Sequence, residues 1–305
     1  MEAPLLADLG GLPPGGSARF EDTPDGTRIR LARWDGGRPG TVLLLPGRTE
    51  YVEKYGAVIA DLRARDLSVV TLDWRGQGLS QRADVGTLGH VGRFSEFQQD
   101  LRLAAAVAFA LPGPHVMLAH SMGGCIGLRG LVSGLAVERA VFSAPMWGLH
   151  MSPLLGPVAP FVARFLRAIG RGKRAVPGGT DENYVATMEF PTNTLTTDRD
   201  TFERMRAHLA AHPELGLGAP TVSWLGAAFD EMGELMVAPP PRLPVLIGLG
   251  GQEAVVSSSA IHTQAERMPE ATLLKVAGGK HELLMEAPAL RTEFLAAMDR
   301  FLGLA

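Results

Sequence analysis

Cysteine is almost absent from this chain, with one thiol, Cys125, in 305 residues. An internal disulfide is excluded, and such usage suits a reducing compartment. Charge of one sign is missing too: 29 Lys plus Arg face 32 Asp plus Glu, for a net charge of −3. No global basic field is left to draw nucleic acid or anionic lipid. Long apolar runs are also lacking. The longest, Leu103 to Leu111, is far too short to span a bilayer. The opening Met-Glu-Ala-Pro-Leu-Leu-Ala-Asp carries an early acid and no basic region ahead of an apolar stretch. No signal peptide is therefore expected, and the cytoplasm is the default location. No internal repeat is visible. What remains, 46% hydrophobic and 20% charged, suffices for one large core, or one core with a sizeable insertion.

Residues 1–17 read as a loosely structured Pro/Gly-rich lead. Ala18–Glu21 and Arg28–Trp34 flank Thr-Pro-Asp-Gly and predict a hairpin. From there strand, glycine turn and helix alternate. Strands are predicted at Thr41–Leu45, Ser68–Leu72, His115–Ala119 and Arg139–Ser143, with helices at about Tyr51–Arg65 and Phe94–Leu111 and another after Ser121. Each strand is a continuous apolar run, the pattern of a parallel sheet buried on both faces. The rhythm stops between about Ala144 and Pro241, where helical fragments rich in Pro, Gly and Met replace it. It resumes with the strand Val245–Leu249, a helix over Ser258–Met268, the strand Ala271–Val276 and an amphipathic helix over Leu290–Leu302. The expected organisation is an α/β core of residues 1–145 and 237–305, interrupted by a mostly helical insertion over 146–236.

Ala119-His120-Ser121-Met122-Gly123-Gly124 lies between an apolar strand and a helix. A nucleophile elbow needs small residues two before and two after the serine, because the turn is tight and thrusts the hydroxyl out at the sheet's carboxyl edge. Ala119 and Gly123 fill those positions. The bland alternative is a serine that merely caps the following helix. A serine hydroxyl needs a base within reach, and after such an elbow the acid and then the histidine follow in chain order. His281 leaves the last strand through Ala277-Gly278-Gly279-Lys280, whereas His262 falls inside a helical stretch. The preceding strand exits through Gly250-Gly251-Gln252, and Glu253 is its first carboxylate. Its role would be to hold the imidazole in one tautomer. Asp230 and Glu231 are rivals that precede that strand, and Glu282 adjoins His281 in sequence. Two backbone N–H groups should receive the oxyanion: that of Met122, and one from Pro46-Gly47-Arg48-Thr49-Glu50, with Arg48 at the expected position.

These segments resemble a known family, the bacterial lysophospholipases and related monoacylglycerol lipases of the α/β-hydrolase superfamily. The carrying residues are Leu45-Pro46-Gly47-Arg48-Thr49-Glu50 with Glu53-Lys54-Tyr55, then Asp73-Trp74-Arg75-Gly76-Gln77-Gly78-Leu79-Ser80, and His120-Ser121-Met122-Gly123-Gly124. Glu253-Ala254-Val255-Val256 and His281-Glu282-Leu283-Leu284-Met285-Glu286 complete the set. Most members have Gly at Ala119, His at Pro46 and Asp at Glu253. The Pro-Gly-Arg form resembles the lysophospholipase branch. The resemblance implies an α/β-hydrolase fold, a mostly parallel sheet flanked by helices, with a helical cap over the site.

Asp73-Trp74-Arg75-Gly76-Gln77-Gly78 lacks the remaining glycine and lysine of a phosphate loop, and Arg75 is expected to brace loops beside the site. His208 and His212 lack the glutamate of a zinc-protease helix and are expected on a helix surface. No metal site and no cofactor are expected. Met146, Trp147 and Trp224 are the candidate substrate-binding residues, while Met151, Leu155, Phe161 and Phe165 are expected mainly as cap core. The expected activity is hydrolysis of a lipid-like carboxylic ester, with Ser121, Glu253 and His281 catalytic and Arg48 and Met122 forming the oxyanion hole. A small-ester carboxylesterase and a non-catalytic ligand-binding homologue are the alternatives. The expected partner is a small lipid-like ester, with no nucleic acid and transient membrane-surface contact through the cap. Head group, acyl length and oligomeric state stay open.

Overall fold

The computed structural model describes residues 1–37, 39–152 and 154–304. In chain order the strands are β1 (Gly16–Asp22), β2 (Arg28–Trp34), β3 (Thr41–Leu45), β4 (Ser68–Leu72), β5 (His115–His120), β6 (Arg139–Ser143), β7 (Val245–Gly250) and β8 (Ala271–Val276). The helices are α1 (Gly56–Ala64), α2 (Phe97–Phe109), α3 (Met122–Val132), α4 (Ala159–Ala168), α5 (Tyr184–Thr187), α6 (Arg199–Ala211), α7 (Val222–Val237), α8 (Ser258–Arg267) and α9 (Pro288–Leu302).

One sheet runs in the order β1-β2-β4-β3-β5-β6-β7-β8. Strands β3 to β8 are mutually parallel, and β2 joins β4 antiparallel as the inner half of the expected hairpin. Every residue of β3 and β4 is buried, because helices cover both faces. Residues of α2, α3, α7 and α8 enter one core cluster, and those of α1 and α9 the other. Each fully buried Leu, Val or Ile side chain in these layers contributes about 1.5–3 kcal/mol.

The topology fixes where a ligand can lie. The chain adds β4 on one side of β3 and then crosses to add β5 on the other. The loops leaving the carboxyl ends of β3 and β5 therefore diverge and open a crevice, the ordinary position of a site in such sheets.

Between β6 and β7 the described residues hold helices α4 to α7 and no strand. Single bridges tie this stretch to the sheet side, Gly89 to Pro220 and Leu149 to Val256. Two expectations fail here. The first 17 residues are not loose: Ala3 N donates to Ala18 O at 3.0 Å and Glu2 pairs with Arg19, so the lead lies along β1. Leu155, Phe161 and Phe165, expected as cap core, are 64%, 71% and 62% exposed: α4 turns only Ala163 fully inward, and Leu155 lies in the turn before it. No helix among the described residues is long and apolar enough to cross a membrane.

Candidate active site

Ser121 follows the carboxyl end of β5 with φ 49° and ψ −116°, a positive φ that a residue with a side chain avoids. The local sequence makes the turn sterically feasible. A Cβ on Gly123 would stand 2.3 Å from Leu45 O, and one on Gly124 2.6 Å from Pro145 Cβ. Small residues are thus required by contact as well as by the elbow rule. Ser121 N donates to Ser143 O at 3.1 Å and Met146 N to Ser121 O at 2.9 Å, clamping the turn.

The structure brings Ser121, His281 and Glu253 together. His281 Nε2 lies 2.9 Å from Ser121 Oγ, and its Nδ1 lies 2.8 Å from Glu253 Oε2. The other Glu253 oxygen accepts the Val255 and Val256 N–H groups at 2.7 and 3.1 Å. Burial alone would push the Glu253 carboxyl up. The hydrogen bond and charge of His281 and the two backbone donors hold it below its ordinary range instead. A carboxylate that stays ionised and fixes Nδ1 leaves Nε2 facing the serine.

Met122 is the first residue of α3, so its N–H has no intrahelical acceptor. The Arg48 N–H likewise has no partner among the described residues. The loop that carries Arg48 is held by the motif set aside as no phosphate loop. Gln77 Nε2 donates to Gly47 O at 3.0 Å, Thr49 N to Gln77 Oε1 at 3.1 Å, and Trp74 Nε1 to Pro46 O at 2.8 Å. Arg75 is turned elsewhere, to Asp100 of α2 and Asp25 of the hairpin.

A cavity of about 320 Å³ opens at Ser121 and His281. Met146 and Trp224 line it, with Leu149, Val185, Leu195, Met205, Leu209, Leu225, Val255 and Val256. Trp147 does not. Its ring packs edge-on to Phe142 at 5.0 Å and its Nε1 donates to Gly124 O at 3.1 Å, so it belongs to the core beneath the elbow. Asp230, the rival acid, pairs with Arg167 at 2.8 Å on an exposed face, and Glu231 pairs with Arg129. His208 is buried against Tyr51 rather than on the surface, whereas His262 is exposed on α8.

Sequence reasoning missed the polar cluster behind the site. Lys54 Nζ donates to Glu50 at 2.5 Å and to Glu282 at 2.6 Å, and Tyr55 OH donates to Glu50 at 2.6 Å. His120, whose ring stands 4.8 Å from that of His281, donates through Nδ1 to Ser143 O at 3.0 Å. Glu50, His120 and Glu282 group their ligand-type atoms within 4.8 Å of one another. The Lys54 ammonium is the cation of that cluster. Burial opposes its charge, but the two carboxylates hold it above the usual lysine range. Burial pushes the Glu282 carboxyl up to about 7 even against Lys54, with Glu50 adding to the rise.

The model of the family described as "serine aminopeptidase, S33" matches residues 37–288. The chain belongs to this family. Among its relatives, lysophospholipase L2 of Escherichia coli (strain K12) is 31% identical over 280 residues, covering 85% of this chain and 79% of that protein. The probable lysophospholipase L2 of Haemophilus influenzae is 26% identical over 268 residues, covering 86% and 83%. Among solved structures, a soluble variant of monoglyceride lipase from Saccharomyces cerevisiae superposes with a TM-score of 0.74 at 18% identity, covering 94% of each chain. A carboxyl esterase from Bacillus coagulans gives 0.75 at 16% identity, covering 95% and 98%. The fold of this family member is that of the α/β-hydrolases, as the resemblance implied.

Proposed function

We propose that this protein hydrolyses a carboxylic ester of a lipid-like substrate, a lysophospholipid or a monoacylglycerol, through an acyl-enzyme on Ser121. The observation that carries the reading is the unbroken hydrogen-bonded line from Glu253 through His281 to Ser121 at the wall of an apolar cavity. His281 Nε2 takes the serine proton as Oγ attacks the carbonyl carbon. The Arg48 and Met122 N–H groups receive the charge that develops on the carbonyl oxygen, and Nε2 then gives its proton to the departing alcohol oxygen as the C–O bond breaks. Water deprotonated by the same nitrogen attacks the acyl-enzyme, releasing the fatty acid and returning the proton to Ser121. Met146 and Trp224 sit on the acyl wall. The names of the two curated relatives support the lipid substrate class.

Residues 146–236 act as a cap over a core of 1–145 and 237–305 in this reading. Its α4 and the turn that follows carry exposed Phe161, Val162, Phe165 and Ile169 together with exposed Arg164, Arg171, Lys173 and Arg174. Apolar residues set among basic ones suit transient contact with an anionic membrane surface. The family's description raises a peptidase reading, which needs a carboxylate available for the substrate's terminal ammonium. Glu50 and Glu282, the carboxylates that line the cavity, are both bound to Lys54, and this favours the ester.

The test is labelling by a fluorophosphonate probe with the modified residue mapped, alongside fatty-acid release from lysophospholipid and monoacylglycerol and a chain-length series of p-nitrophenyl esters. Labelling at Ser121 with turnover rising toward longer acyl chains is expected. Absence of labelling would favour the non-catalytic homologue, and turnover confined to short esters the small-ester carboxylesterase.

A further inference from the structure

The guanidinium of Arg48 is a cation at the cavity with no counter-charge among the described residues. The other charged groups that line that cavity are paired, Lys54 with Glu50 and Glu282. Arg48 has no carboxylate within ion-pair distance among the described residues. Its Nη2 donates to the backbone oxygen of Gly218 at 2.5 Å, and its Cζ lies 5.2 Å from the centre of the Trp224 ring. Nε is buried with no hydrogen-bond partner. Gly89 closes the far side, where an added Cβ would come within 2.6 Å of Nη2.

A carbonyl and an aromatic face offset only part of the cost of withdrawing a guanidinium from water. Burial draws the Arg48 pKa down to about 10, and at that value the group is still a cation at neutral pH. An unneutralised guanidinium with free donors is the planar fork that matches phosphate oxygens.

We propose that the Arg48 side chain binds the phosphate of the substrate's head group and selects lysophospholipid over monoacylglycerol. The inference rests on the ester-hydrolase reading, since it takes the Arg48 backbone N–H to stand at the scissile carbonyl. The guanidinium is then within one side-chain length of that carbonyl. The phosphate it would meet is carried by the same glycerol whose oxygen departs. A neutral monoacylglycerol fills the acyl pocket equally well but leaves the buried Nε and the spare Nη1 donors unmatched.

The test compares two substrates with the same short acyl chain, a lysophospholipid and a monoacylglycerol, both held as monomers in solution. For Arg48→Met, the ratio of their kcat/KM values should move against the lysophospholipid by about 10- to 100-fold, mainly through its KM, the range for losing a charged hydrogen-bonding partner. Arg48→Lys should restore part of the ratio. Gly89→Ala, which displaces the guanidinium without changing residue 48, should shift it the same way and guards against misfolding of the first variant. A ratio in both Arg48→Met and Gly89→Ala within about twofold of wild type, or equal losses on the two substrates, would overturn the assignment. So would inorganic phosphate inhibiting monoacylglycerol turnover in wild type but not in Arg48→Met while the ratio stays fixed, for the site would then take free phosphate. Failure of the wild type to cleave either substrate would instead refute the ester-hydrolase reading.

Discussion

Replacing Glu253 by Gln preserves shape and removes the charge, and the geometry dictates how the amide must sit. Oε1 accepts two backbone N–H groups, from Val255 and Val256, while Oε2 faces His281 Nδ1. The amide oxygen has to take the first position. Placing the NH₂ there would set donors against donors and leave two buried N–H groups unpaired, at about 1–3 kcal/mol each. The NH₂ is therefore turned to Nδ1, which becomes an acceptor, and the ring proton moves to Nε2. That nitrogen lies 2.9 Å from Ser121 Oγ and in this tautomer cannot take the serine proton. A base fixed in the wrong tautomer costs roughly 10⁴-fold in kcat, about 5.4 kcal/mol in the barrier. KM should change little, because the Glu253 side chain is wholly buried and does not line the cavity. Stopped-flow measurement of the acylation burst with a p-nitrophenyl ester reads the step directly, and near-UV circular dichroism checks the fold. A variant keeping more than about a tenth of wild-type kcat, or losing its activity through KM, would refute the tautomer argument.

Ser121→Ala and His281→Ala should each lower turnover by about 10⁴-fold or more in a folded protein, since members of such a unit act together; retention of a tenth of the rate in either would sink the assignment. Asp230→Asn should stay within about twofold of wild type in kcat, because its ion pairs with Arg164 and Arg167 are partly exposed and join α7 to α4, and steady-state kinetics beside Glu253→Gln decides between the two acids. EDTA should leave turnover unchanged, as Lys54 supplies the cation of the one cluster with metal-type donors found among the described residues. Lys54→Met should lose about 3–5 kcal/mol near pH 8, where it leaves two buried carboxylates without their partner. That loss should shrink on acidification, because removing Lys54 takes away the charge that holds Glu50 below its ordinary range and that opposes the burial-driven rise of Glu282, so both carboxyls protonate more readily in the variant and the unpaired charges are lost as pH falls; urea melts at two pH values would show it, and a pH-independent loss under about 1 kcal/mol would contradict it.

The core was legible because its signals are local. Ser68–Leu72 and Arg139–Ser143 are short runs with apolar centres, and the structure places strands on those residues. The elbow was legible for the same reason: strand, small residue, serine, glycine and helix are contiguous. Where a signal depended on distant partners, the reading went astray. Phe161 and Phe165 have the composition of core residues, but among the described residues no element covers that face of α4. Trp147 follows the cavity residue Met146 directly, yet points back to Gly124 in α3. Trp147 N donates to Pro145 O at 2.9 Å, and this tight turn sends the two neighbouring side chains different ways.

The polar layer behind the serine illustrates the harder limit. Glu50 and Lys54 stand four apart and could be taken for a solvated helix pair. Their third member, Glu282, comes from the other end of the chain, behind β8, and only the parallel sheet brings the loops after β3 and β8 to one edge. Adjacency to His281 pointed away from a role for Glu282, and its side chain does lead away from the imidazole. It leads into a buried contact with Lys54, so the loop holding His281 and the loop holding Arg48 share one cation. Arg48 carries the same lesson with the sign reversed. A sequence shows that an arginine is present, but only the assembled neighbours show that no carboxylate meets it. Backbone function could be assigned to that position from the turn alone, whereas the charge on its side chain acquires meaning from what the rest of the fold withholds.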